Sequence, residues 1–256
     1  MIKTEGLCYR VGARRILDNV SITVPDGAVT VLVGNNGSGK TTLVRSLAAY
    51  HEHSRFISGE PSVDGIPLRS ISPRELSSRI ALMPQTLPTP DMTVLELLSL
   101  GRASTRSPFS RESACDRERI AEVLSLLGLS DLRDATLAQL SGGERQSAFL
   151  AMLLAKDSKN LILDEPTSAL DSRNRSRLFS FLREMRGQGR AILTVLHDLT
   201  AAAQIADKII VMDKGSVLLD GNPDELLASG IPEELFGLTS VRAERDGKSI
   251  SLYLPK

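Results

Sequence analysis

Neither sign of charge is in excess in this 256-residue chain. Its 31 Lys and Arg face 31 Asp and Glu, so no net field draws the whole molecule to nucleic acid or to an anionic membrane, and local surfaces must select its partners. Cysteine is scarce as well. Cys8 and Cys115 stand far apart and outside any metal-ligand spacing, which reads as two reduced, structural thiols and excludes a disulfide scaffold. No apolar run reaches the roughly eighteen residues a spanning helix needs, and Met1 to Gly6 lack the apolar core of a signal peptide. The chain is therefore expected not to span a membrane, and any membrane role must run through another protein. Internal repeats and low-complexity tracts are missing too. What is present, 41% hydrophobic and 24% charged residues with few aromatics, is the composition of an ordinary globular protein. Its length suffices for one large core or a core with an inserted subdomain.

The first third reads as β-rich. Val20, Ile22 and Val24 alternate with polar residues, Asp26-Gly27 supplies a turn, and Val29 to Val33 form an apolar strand that runs into glycine-rich sequence. Leu43, Val44, Leu47 and Ala48 then share one face of a helix. From 87 to 156 strand patterns vanish, and runs such as Val94, Leu95, Leu97, Leu98 and Ile120, Val123, Leu124, Leu127 predict a helical subdomain. Short apolar strands follow at 161–163, 192–196 and 209–212. Helical patterns separate them, one carrying Leu178, Phe181, Leu182 and Met185, which predicts a mostly parallel sheet covered on both faces. Residues 241–256 alternate around Asp246-Gly247 and predict a terminal hairpin. The expected fold is α/β, with a core and an N-terminal antiparallel β subdomain drawn from 1–86 and 157–240, and the helical insert between them.

Gly34-Asn35-Asn36-Gly37-Ser38-Gly39-Lys40-Thr41, followed by Thr42, has the spacing G-x-x-x-x-G-K-[ST]. Such a loop wraps a β-phosphate in backbone N–H groups at a helix N-terminus. Its glycines permit the turn that aims the amides inward. Lys40 is then set to reach the β- and γ-phosphates as a point charge, and the Thr41 hydroxyl to complete the coordination of magnesium. Kinases, GTPases, motors and helicases share this loop, so a second constellation must choose among them. Leu161-Ile162-Leu163-Asp164-Glu165-Pro166 supplies it: an apolar strand delivers Asp164 toward the metal and leaves Glu165 beside the γ-phosphate as candidate base for water. A solvated pair of acids would be the plainer reading in isolation. At the end of an apolar strand, two adjacent carboxylates are costly unless a cation is bound.

In Leu140-Ser141-Gly142-Gly143-Glu144-Arg145-Gln146, Ser141 and Glu144 form a capping box. A helix begins there, and Gly142-Gly143 leave its first amides uncovered as a second anion site. S-x-x-E alone would mean an ordinary capped helix, yet two glycines weaken a first turn unless something must approach its backbone. The segment resembles the signature motif of ABC ATPases, and Tyr9, Gln85, Ser168-Ala169-Leu170-Asp171 and His197 fall around it in the family's order. The resemblance covers nearly the whole chain. It implies a P-loop NTPase (RecA-like) core that binds ATP and Mg2+. Tyr9 would stack on adenine, Gln85 touch the metal and the attacking water, His197 contact the γ-phosphate, and Asp171 lie across a dimer interface. Two copies would pack head to tail, each ATP sandwiched between one copy's phosphate loop and the other's Ser141, Gly142, Gly143 and Glu144. Hydrolysis at Glu165 would then drive polytopic permease subunits from the cytoplasmic face of the cell (inner) membrane. A periplasmic or surface substrate-binding protein would take part indirectly, and nucleic acid would not.

Pro84-Gln85-Thr86-Leu87-Pro88, Met92-Thr93-Val94, Gly101-Arg102, Ala148 to Met152 and Val195 to Leu199 together look like ATPases of ferric-siderophore importers, with haem and cobalamin importers as near relatives. Uptake of an iron chelate is the expectation. Two stretches depart from that pattern: Ser147 stands where these importers commonly have arginine, and Tyr50 to Phe56 replaces a short glycine- and proline-containing link. Neither touches the reacting groups. His51 and His53, with no third ligand nearby, read as a solvated loop. One cassette without heptad-rich coiled coils separates the chain from ABC translation factors and chromosome proteins. Lys40, Asp164, Glu165 and His197 together argue against a non-hydrolysing regulatory module.

Overall fold

Alternation folds the start of the chain into a sheet. In the computed structural model, which describes residues 1–48, 56–103, 112–168, 170–245 and 248–255, strand Ile2–Val11 pairs antiparallel with Arg14–Val24. The short strands Phe56–Ser58 and Ser62–Val63 also pair with Ile2–Val11. Gly6, at φ +59, sits where the register of the first pair shifts. Ile2 and Thr4 are buried before it, and Leu7 and Tyr9 after it. The expected histidine pair, His51 and His53, and the turn Asp246-Gly247 lie outside the described residues.

These strands belong to a first unit, Met1–Ser70 with Leu182–Lys256. Its core is a parallel ladder. Strand Ala28–Gly34 lies between Ala191–Val195 and Lys208–Asp213, parallel to both, and Ser216–Gly221 adds an antiparallel edge to Lys208–Asp213. Val29, Val31, Leu32 and Val33 are buried on both faces of the sheet, each contributing about 1.5–3 kcal/mol by leaving water. That double burial explains the unbroken apolar run where alternation would otherwise appear. At the far end Leu238–Arg245 pairs with Lys248–Pro255. This ladder begins at Leu238, ahead of the expected 241, because Gly237 at φ +65 closes helix Ile231–Phe236 and the strand starts directly after it. The Tyr253 N–H donates to the Thr200 hydroxyl, which donates in turn to the Tyr253 carbonyl, and the two bonds dock the ladder on helix Leu199–Ile205.

The second unit, Ile71–Phe181, is wider than the helical stretch expected at 87–156 because it includes two parallel strands, Ile80–Met83 and Asn160–Asp164. Helices Val94–Ala103, Ala114–Leu127 and Gly142–Lys156 supply the rest of its core. Gly101 lets two of them touch: a Cβ there would stand 2.8 Å from the Met152 carbonyl oxygen. Close by, Arg102 Nε donates to Asp116 at 2.7 Å. Hydrogen bonds from the Ser113 backbone and from Arg102 hold the Asp116 carboxyl down at about 2. Burial pushes Lys156 down to about 8, while its ammonium donates to the Ile80 carbonyl at 2.9 Å. Both cysteines are free, but only Cys8 has a packing role, its Sγ accepting the Asn19 N–H at 3.2 Å; Cys115 is exposed.

Candidate active site

In the first unit the phosphate loop grows from the end of a fully packed strand. Gly34 faces Met212 across the parallel ladder, and a Cβ on it would stand 2.2 Å from the Met212 carbonyl oxygen and 2.8 Å from the Ser38 hydroxyl. Only glycine lets the strands keep that approach. The Ser38 N–H donates to the Asn35 carbonyl at 3.1 Å, closing the turn, and the Gly215 N–H donates to the Ser38 carbonyl at 2.9 Å. Gly39, at φ +103, is the N-cap of helix Lys40–Leu47 and brings no side chain over its first amides. Those N–H groups and the positive end of the helix dipole therefore face outward for an anion. Lys40 is 6% exposed, its ammonium held by the Gly34 and Asn35 carbonyls at 2.8 and 3.0 Å. Ser38 is 2% exposed, and its hydroxyl makes no hydrogen bond. Asn35, Asn36 and Gly37 are exposed on the loop, and Thr41 and Thr42 are half-buried in the first helical turn.

His197 leaves the same edge of the sheet. The neighbouring strand Ala191–Val195 pairs Val195 with Leu32, and the Leu196 N–H still donates to the Leu32 carbonyl at 3.2 Å. His197 then turns out exposed at the level where the loop begins, and Asp198 caps helix Leu199–Ile205 through the Ala201 N–H at 3.1 Å. Tyr9 requires a correction. Its ring is fully buried on the inner face of Ile2–Val11, so in this structure it is a core side chain and offers no face to a base. The exposed apolar side chain near that strand end is Val11, 46% exposed.

The second unit holds the carboxylates. Strand Asn160–Asp164 is buried throughout and ends on Asp164, 2% exposed. Glu165, half-buried, follows at φ +55, a left-handed conformation that glutamate adopts only under constraint. The Ser168 N–H and Gln146 Nε2 both donate to its carbonyl at 3.3 Å. Strand Ile80–Met83 runs parallel alongside, Met83 opposite Leu163, so exposed Gln85 and Glu165 leave neighbouring strand ends. The expected capping box is formed: the Glu144 N–H donates to the Ser141 hydroxyl at 3.3 Å, and the Ser141 N–H to Glu144 Oε2 at 2.8 Å. Hydrogen bonds from the Ser141 side chain and backbone hold the Glu144 carboxyl below its ordinary range. Gly142 is exposed, with nothing within 4 Å of where a Cβ would stand, and Gly143 is half-buried, so the first turn presents bare backbone. Asp171 is exposed and starts helix Ser172–Gly187, its carboxylate accepting the Asn174 N–H at 2.7 Å. Gln146 escaped the sequence reading as a site residue. Its position inside the signature segment was the available signal, and its hydrogen bond ties that helix to Glu165.

A family model described as ABC transporter matches residues 17–168, more than half of the chain. The chain belongs to the ABC transporter family. Among relatives of this ABC protein, the ferric enterobactin transport ATP-binding protein FepC of Escherichia coli (strain K12) is 33% identical over 93% of the chain and 87% of its own length. The hemin import ATP-binding protein HmuV of Rhodopseudomonas palustris (strain BisA53) is 34% identical over 96% of the chain and 92% of its own length. Among solved structures, a chain of a metal-chelate type ABC transporter in an inward-facing conformation superposes with a TM-score of 0.82 at 25% identity, covering 100% of this chain and 97% of that one. The ABC ATPase fold, with its mostly parallel sheet, antiparallel N-terminal sheet and helical segment, is thus the fold of this chain.

Proposed function

We propose that this chain is the ATP-hydrolysing subunit of an ABC importer for an iron chelate, foremost a ferric siderophore, acting at the cytoplasmic face of a bacterial cell membrane. One observation carries the nucleotide half of that reading. The phosphate loop presents uncovered helix amides, a buried lysine and a buried serine hydroxyl without a hydrogen bond. A triphosphate supplies acceptors to the first and last of these and counter-charge to Lys40. Magnesium suits the remaining donors, which are all oxygens: the Thr41 hydroxyl, the Asp164 carboxylate and the Gln85 amide. Such an ion is held largely by water and substrate phosphates, with one or two protein oxygens completing its shell. When bound, it would neutralise charge on the β- and γ-phosphates.

The chain's own residues would do the rest. Lys40 and the loop amides hold the phosphates, Gln85 and His197 orient the γ-phosphate and its water, and Glu165 takes the proton from that water. The bare turn at Ser141, Gly142, Gly143 and Glu144 then serves the ATP of a second copy in a homodimer, where exposed Asp171 lies at the shared face. No described helix is long and apolar enough to cross a membrane; the relatives are named as ATP-binding proteins of transport and import systems, and on that likeness separate permease subunits would carry the substrate and a binding protein would deliver it to them. The names of the relatives, one for ferric enterobactin transport and one for hemin import, support the iron-chelate class.

The test is a gene deletion complemented with wild type or Glu165→Gln, grown on single ferric siderophores or haem as the iron source. Growth on one chelate class should fail, return with wild type and stay absent with the glutamine variant. The purified variant should still bind ATP and hydrolyse it at least a hundredfold more slowly, roughly the loss expected for a missing general base. Normal growth of the deletion strain on every chelate would remove the substrate assignment, and wild-type turnover by Glu165→Gln would remove the base.

A further inference from the structure

A side chain of the phosphate loop reaches the carboxyl-terminal part of the chain. Asn35 Nδ2 donates to the Leu235 carbonyl at 3.0 Å, across 200 positions of sequence. Leu235 lies in the last turn of helix Ile231–Phe236, where carbonyls have no partner within the helix, so the asparagine amide acts as a cap supplied from outside. Asn35 also shapes the loop through its peptide, whose carbonyl accepts both the Lys40 ammonium at 3.0 Å and the Ser38 N–H at 3.1 Å. The residue that grips the helix is therefore the one around which the lysine and the turn are arranged.

A satisfied surface asparagine would be the plain reading of that contact. The path beyond Leu235 argues for more. Glu233, in the same helix, accepts the Ser240 N–H at 2.8 Å and so ties the helix to strand Leu238–Arg245. That strand pairs along its length with Lys248–Pro255. Tyr253 of the second strand exchanges hydrogen bonds with Thr200 at 3.0 and 3.3 Å, and Thr200 lies in the first turn of the helix capped by Asp198, just after His197. Residues 231–245 and 248–255 thus run from the phosphate loop back to the His197 turn, joining two parts of one nucleotide site through elements that contribute no group to the chemistry.

We propose that Asn35 is a positioning residue for ATP, and that helix Ile231–Phe236 with the paired strands Leu238–Arg245 and Lys248–Pro255 forms a brace that fixes the phosphate loop with respect to the His197 turn. The proposal rests on the ATP-hydrolysing reading given above. A loop held before ATP arrives loses less freedom on binding, so release of the brace weakens affinity while leaving the groups that break the bond in place. By linkage, ATP must in return steady the helix that Asn35 grips.

The full chain should be assayed as wild type, Asn35→Ala, Gly237→Val and the double variant; Gly237 closes helix Ile231–Phe236 at φ +65, where valine cannot sit without strain. Asn35 is an exposed loop residue, so its alanine variant leaves the packed core untouched. Asn35→Ala should raise the KM for ATP about 2- to 10-fold, as expected for one net hydrogen bond, with kcat held within about twofold. Gly237→Val should act in the same direction, and the double variant should be no worse than the worse single one. Amide hydrogen exchange across 231–236 should slow when ATP binds the wild type and show no such response in Asn35→Ala. An unchanged KM in Asn35→Ala, effects that multiply in the double variant, or wild-type amides indifferent to ATP would each overturn the brace. A wild-type chain that bound no ATP would overturn the parent reading and this one with it.

Discussion

Adding one methyl group at Gly34 perturbs the phosphate loop at the point where it leaves the sheet. The new Cβ would stand 2.2 Å from the Met212 carbonyl oxygen and 2.8 Å from the Ser38 hydroxyl, where a comfortable carbon–oxygen contact needs about 3.3 Å. Roughly 1 Å must be found, and no rotamer change provides it, because Met212 meets Gly34 through the backbone of a paired strand. Overpacking of this kind costs about 1–3 kcal/mol, and a backbone clash belongs at the upper end. In a chain of this length 1 kcal/mol moves the melting temperature by about 2–4 °C, so Gly34→Ala should lower Tm by roughly 6–12 °C. It should also weaken ATP binding by about tenfold or more, since the helix amides no longer converge. Gly37→Ala is the internal control. At φ +80 with open space around it, it carries only a left-handed backbone penalty of about 1 kcal/mol and a Tm loss of about 2–4 °C. Scanning calorimetry on both variants, with and without ATP, measures the difference. Equal losses, or a wild-type Tm for Gly34→Ala, would refute the claim that the strand contact adds to the backbone strain Gly34 already carries at φ +155.

Two further outcomes follow from the second unit. Ser141→Ala should lose about 1 kcal/mol of cap energy, whereas Ser141→Asp should keep the cap and the Tm yet abolish ATP turnover by bringing negative charge to an anion site; turnover surviving in Ser141→Asp would deny that role. Asp116→Asn takes away the carboxylate that pairs with Arg102 and should cost about 2–4 kcal/mol at pH 7 in urea unfolding. Because the folded carboxyl is held at about 2, below its unfolded value, its contribution is complete above about pH 4 and is lost as pH falls through about 2. The gap between wild type and variant should therefore close in acid, and a gap constant from pH 7 to pH 2 would contradict the pairing.

Much of this was legible in the residues. Strand, glycine loop and helix follow from local pattern, as does the capping box at Ser141 and Glu144, because each depends on neighbours within a few positions. Tyr9 was misread for a physical reason. Its place in the family's order pointed to adenine, while the irregular pairing at Gly6 sets which residues of that strand face inward, and no period-two count foresees a bulge. Gln146 and Asn35 stood in view inside recognised motifs, but their partners are carbonyls 19 and 200 positions away. A backbone acceptor carries no side-chain signature, so such bonds exist only once the chain has folded. The width of the second unit was hidden likewise, since parallel pairing of Ile80–Met83 with Asn160–Asp164 joins segments separated by all the helices between them.

The backbone at Glu165 bears on which amino acid can serve there. Left-handed φ suits aspartate better than glutamate, because the shorter acid visits that region several-fold more readily. The chain nevertheless places the longer acid at φ +55 and tolerates a strain of order 1–3 kcal/mol. Carboxylate charge alone would be met by either residue. Reach is what differs: the additional methylene lengthens the acid's arm by one carbon–carbon bond, about 1.5 Å, and the proposed role as base for water would draw on that length.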